Sequence, residues 1–83
     1  AAVGPPAPVV RRATVGRVVL QAGGGGRPPF VWAWWCRSDA GWRFSVLPAA
    51  ERYVDASGCA SVVASAVSRT GQESERRVLR LRR

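Results

Sequence analysis

Residues 55–68 read Asp-Ala-Ser-Gly-Cys-Ala-Ser-Val-Val-Ala-Ser-Ala-Val-Ser, and the period of this stretch decides the fold class. Cys59, Val62, Val63, Ala66 and Val67 stand at i, i+3, i+4, i+7 and i+8, the spacing of an apolar stripe along one helical face. Asp55 or Ser57 offers an N-cap, and Gly71 stands where a helix ends in the left-handed conformation. Valine is a middling helix former, so such a helix depends on packing rather than on propensity. Its small side chains would allow it to lie close on a sheet.

The sheet is predicted upstream. Residues 30–37 and 42–47 are apolar, aromatic and strand-sized, and Ser38-Asp39-Ala40-Gly41 between them has the residues of a tight turn. Alternation puts Phe30, Trp32, Trp34 and Cys36 on one face of the first strand and Val31, Ala33, Trp35 and Arg37 on the other. The core face is expected to carry Phe30, Trp32, Trp34, Trp42, Phe44 and Val46, covered by the helix. Residues 14–21, rich in β-branched side chains and closed by the glycine run 23–26, form a first strand. Residues 51–54 form a short fourth strand or the approach to the helix. Residues 73–83 suit an edge strand with Leu79 and Leu81 on one face and Arg76, Val78, Arg80 and Arg82 on the other. A second helix begun at Ser74 is the alternative. The expected fold is α+β: a three- or four-stranded, mainly antiparallel sheet with one helix on one face. Residues 1–8, with three prolines, are expected to be an extended arm, and residues 9–83 one small basic domain.

Composition narrows the function classes. The chain has 83 residues and a net charge of +8, and all thirteen cations are Arg. It has no Lys, Ile, Asn, His or Met, and Ala, Gly, Arg and Pro fill 41 positions. That pattern follows from GC-rich coding, which enriches Arg without selection and lowers the weight of the charge as evidence for a polyanionic partner. No apolar run approaches the roughly 20 residues of a membrane-crossing helix. Two cysteines without His give neither a zinc site nor a disulfide-dense scaffold. Two buried thiols are favoured for a cytoplasmic chain, the compartment preferred over a secreted one, and a Cys36–Cys59 bridge is the alternative.

Catalysis finds little material. Without His no Ser/His/Asp or Cys/His arrangement can form, and each of the five carboxylates has a structural task available at a turn or cap. The glycine run lacks the Lys-Ser/Thr and the helix that a phosphate loop needs. No cofactor, metal or small-molecule substrate is expected. Two clusters remain. Trp35, Arg37 and Arg43, taken to face away from the core, could stack a base and hold phosphate. Arg69, Arg76, Arg77, Arg80, Arg82 and Arg83 gather six guanidinium groups near the C-terminus, each able to donate two hydrogen bonds to one phosphate. The expected function is a non-enzymatic basic module that contacts RNA or DNA backbone with little sequence specificity. The alternative is a structural or assembly subunit of a virion or large complex, which contacts protein through the arm and the arginine tail. A protein partner or a homo-oligomer fits that alternative, and no membrane role is expected. No motif places the chain in a family. The predicted order of three strands, a helix and a basic strand is similar in outline to the arm-binding domains of phage integrases.

Overall fold

The structure, a computed structural model, describes residues 4–24 and 28–81, and among them there is no helix. Seven strands follow one another: β1 (Val9–Thr14), β2 (Arg17–Gln21), β3 (Val31–Ser38), β4 (Gly41–Pro48), β5 (Tyr53–Asp55), β6 (Ser61–Val67) and β7 (Arg77–Arg80). All pairings are antiparallel and make a three-stranded sheet, β1-β2-β5, and a four-stranded sheet, β4-β3-β6-β7. Val18, Leu20 and Val54 of the first sheet pack with Trp32, Trp34, Val62, Ala64 and Ala66 of the second around one core. The architecture is a β-sandwich, and the expected α+β fold is corrected.

The correction turns on residues 55–68. Asp55 does accept a cap-like hydrogen bond from the Ser57 N–H, at 2.9 Å, but the bond closes a turn, and Gly58 follows with φ of 81°. From Ser61 onward the chain is β6, the strand between β3 and β7. Ser61, Val62, Ala64, Ser65 and Ala66 are all buried. A strand covered on both faces shows no period of two, so its small apolar residues imitate a helical stripe. Their size has a cause in the neighbouring strand. Trp32 lies opposite Ala66, Trp34 opposite Ala64 and Trp35 opposite Val63, so the volume on each face is supplied by tryptophan. With the helix gone, the outline shared with integrase arm-binding domains goes as well.

The hairpin register corrects the core face. Ser38 pairs with Gly41 around a two-residue turn, so Trp32 faces Leu47, Trp34 faces Ser45 and Trp35 faces Phe44. Pairs across an antiparallel ladder point to the same side, so Arg43, Ser45 and Leu47 share the inner face with Trp32 and Trp34. Trp42, Phe44 and Val46 point outward and are more than half exposed, and Phe30, which precedes β3, is also more than half exposed. Four of the six expected core residues are therefore surface residues. The first strand is also divided: the chain turns at Val15-Gly16, with Gly16 at φ 77°, and β1 pairs back on β2.

Cys36 on β3 and Cys59 in the turn before β6 form a disulfide, with Cα atoms 5.5 Å apart. The pair of free thiols is thus replaced by the alternative bridge. In chain order β1, β2, β3, β5, β6 and β7 take the places of strands A, B, C, E, F and G of an immunoglobulin-like sandwich, and β4 takes that of C′. Among the described residues no strand pairs with the outer edge of β5, the place that strand D fills in a constant-type domain. Residues 4–8 run back along the domain: Pro8 is buried, Gly4 lies against the Glu73 carbonyl, and Ala7 lies against Gly23.

Candidate functional site: the outer face of the four-stranded sheet

Two cross-strand rows build the outer face. The first runs Trp42, Arg37, Ser61, Arg80 over β4, β3, β6 and β7, and the next runs Phe44, Trp35, Val63, Val78. Val46 and Ala33 begin a third row, which Ser65 continues on β6. Four strands about 4.8 Å apart and three same-side rows about 6.6 Å apart give a face on the order of 400 Å², on which Trp42, Phe44, Val46 and Val78 are the exposed large apolar side chains. Arg37 and Arg80 stand in its first row, and Arg76 reaches over Trp35 in its second.

Trp35 is half-buried, and its ring has two close neighbours. The Phe44 ring lies 5.0 Å away at 46°, and the Arg76 guanidinium carbon sits 4.4 Å above the Trp35 centroid. Arg76 is fixed there by Glu73, whose Oε2 accepts from Arg76 Nε at 2.9 Å and from the buried Ser65 hydroxyl at 2.6 Å. Arg76 and then Ser65 hold the Glu73 carboxyl below its ordinary 4.5, and Glu73 in turn raises Arg76. Trp35, nominated as a base-stacking platform, is thus covered by its own chain. The exposed rings are Trp42 and Phe44, which sequence reasoning assigned to the core. The two-residue turn was the signal that could have placed them outside.

The nominated arginines separate into groups. Arg37 and Arg80 lie on the outer face without a carboxylate partner among the described residues. Arg43 lies on the inner side of β4, away from Trp35 and Arg37, because it pairs with Cys36. Arg69 stands over Phe30 at 5.2 Å, and Arg77 is paired with Glu75 at 3.2 Å. Arg82 and Arg83 lie outside the described residues. Arg77 pairs with Ala64 and so lies on the other side of β7 from Arg80; the described arginines of the C-terminal cluster are therefore divided between the two sides of the sheet and partly neutralised. Among the described residues no group of three or more His, Cys, Asp or Glu could hold a metal ion. Comparison with protein-family models, curated proteins and solved structures gives no match.

Proposed function

We propose that this chain is a non-enzymatic binding domain that docks a protein with an acidic surface on the outer face of its four-stranded sheet. The observation that carries this reading is the exposed set Trp42, Phe44 and Val46 along β4, beside Arg37 and Arg80, which have no carboxylate partner among the described residues. Exposed aromatic anchors flanked by Arg have the composition of interface hot spots, and the charge selects an acidic partner. The Cys36–Cys59 bridge supports an oxidising compartment over the cytoplasmic one preferred from the sequence. The test is site-specific photo-cross-linking in the source organism, with the reactive group at Phe44 or, as control, at Val15. Adducts with an acidic protein are expected from position 44 only, and Arg37→Gln with Arg80→Gln should remove them. Equal labelling from both positions would reject the outer face.

A second reading keeps the nucleic-acid backbone as partner, and the net charge of +8 favours it. Against it stand the cover on Trp35 and the carboxylates that hold Arg76 and Arg77. A generic 20-nucleotide single strand is expected to bind more weakly than about 10⁻⁴ M at physiological salt, the weak end of non-specific association. Micromolar binding that falls steeply with salt would restore the nucleic-acid reading.

A further inference from the structure

The two sheets are unequal in width, and the mismatch leaves a groove. Among the described residues no strand lies across the sandwich from β4, so Arg43, Ser45 and Leu47 line an open groove of about 540 Å³ together with Trp34, Tyr53 and Asp55. β5 presents its outer edge to this space. The Leu20 N–H donates to the Arg52 carbonyl at 2.8 Å and the Ala56 N–H donates to the Gly16 carbonyl at 2.7 Å. These bonds fix the parity of the ladder: main-chain groups of residues 52, 54 and 56 face β2, and those of Tyr53 and Asp55 face away from it. The far end of the groove is held by the β4–β5 turn, where Trp32 Nε1 donates to the Glu51 carbonyl at 3.1 Å.

We propose that this groove is a strand-addition site for an extended peptide segment of a protein partner. The segment pairs antiparallel with β5 through the main-chain groups of Tyr53 and Asp55 and fills the fourth place of the smaller sheet. Main-chain bonds supply affinity in this mode, and alternate side chains supply specificity. β5 starts at the Leu47 end of β4, where Glu51 meets Trp32, and ends at the Arg43 end, where Cys59 is bridged to Cys36. Facing sheets keep their strands within about 30° of each other, so a segment antiparallel to β5 runs in the direction of β4 and its inward residues i, i+2 and i+4 meet Arg43, Ser45 and Leu47 in turn. That order asks for an acidic residue at Arg43, a small one at Ser45 and an apolar one against Leu47 and Trp34. Arg43 has no carboxylate partner among the described residues, whereas the nearby Asp55 carboxylate is turned onto the Ser57 N–H. A second copy of this chain is disfavoured as occupant by the charge of +8 on each molecule. The site is on the opposite side of β4 from the outer face and does not depend on that reading.

The probe is a terminally blocked seven-residue peptide of threonines with Glu, Ser and Leu at its second, fourth and sixth positions, titrated into the intact, disulfide-bonded chain and followed by amide NMR. Tyr53 and Asp55 amides are expected to shift and gain exchange protection. Replacing the peptide Glu by Gln, or Arg43→Gln in the protein, should each weaken binding about tenfold, and the two together should weaken it little further. N-methylation of the peptide amides that face β5 should abolish binding, and Trp42→Ala should leave it unchanged. Absence of binding at millimolar peptide, indifference to N-methylation, or shifts confined to the outer face would each overturn the site. So would a dimer of the free chain that Tyr53→Pro dissolves, since the edge would then belong to a second copy.

Discussion

Trp34 and Trp42 are expected to share a core face if the hairpin register is ignored, and the sandwich separates them. Trp34 is 4% exposed between the sheets and Trp42 is 58% exposed on the outer face. Trp34→Ala should therefore cost about 3–5 kcal/mol by chemical denaturation, enough to unfold most of a domain this small. Trp42→Ala should cost under about 1 kcal/mol, within the range of surface substitutions. Similar losses for both would mean that the turn has a different register. Alternation along β3 was legible, because Trp32, Trp34 and Cys36 do face inward, while Trp35 and Arg37 do not. What alternation cannot supply is the phase of the next strand, which depends on the number of residues in the turn. A second residue-scale expectation concerns Glu73. Its carboxyl lies below its ordinary 4.5 because of Arg76 and Ser65, so its contribution to stability is full above that value. The contribution is lost as pH falls through the lowered folded value. Asp55, lowered by the Ser57 N–H, acts in the same direction. Glu73→Gln should thus destabilise the chain at pH 7 and flatten the acid limb of its pH–stability curve without removing it. An unchanged acid limb would show that the Ser65–Glu73–Arg76 contacts do not hold in solution.

At the level of elements, the misleading segment was β6 and the decisive neighbour was β3. A stretch of Val, Ala and Ser at helical spacing is locally ambiguous. The three tryptophans of β3 resolve it, because they supply the volume that the neighbouring strand then omits. The edge strand β7 was legible from its alternation, with Leu79 turned toward the core opposite Val62 and Arg80 turned outward opposite Ser61. β1 was not legible, since a run of two Val and two Arg behind a proline-rich segment carries no clear period. The turn between β5 and β6 is held by the disulfide, which closes a loop with a sequence separation of 23. A loop of that length restricts the unfolded chain by about 3 kcal/mol. Cys36→Ser with Cys59→Ala should lower the unfolding free energy by that order while the sheet amides keep their native shifts. A loss below about 1 kcal/mol would indicate that the bridge adds little beyond the packing of Trp34 and Val62.

For the whole molecule, two surface properties oppose each other and set how it behaves in solution. The charge of +8 keeps copies apart, whereas the exposed row of Trp42, Phe44 and Val46 on a long edge strand invites contact. The Debye length falls from about 30 Å at 0.01 M salt to about 3 Å at 1 M, so repulsion between copies fades over that range while the apolar attraction persists. Sedimentation should therefore show a monomer at low salt and growing self-association as salt rises. Trp42→Thr with Phe44→Thr should hold the chain monomeric throughout, with little change in melting temperature because neither ring is in the core. Binding to a polyanion has the opposite salt dependence, since released counterions favour it at low salt. The two trends separate the competing pictures of this surface in one series. Association that rises with salt and disappears with the two rings assigns the face to apolar docking, with arginine selecting the partner. Association that requires an added polyanion and falls with salt, whether or not the rings are present, would make the arginines the binding site and the aromatic row incidental.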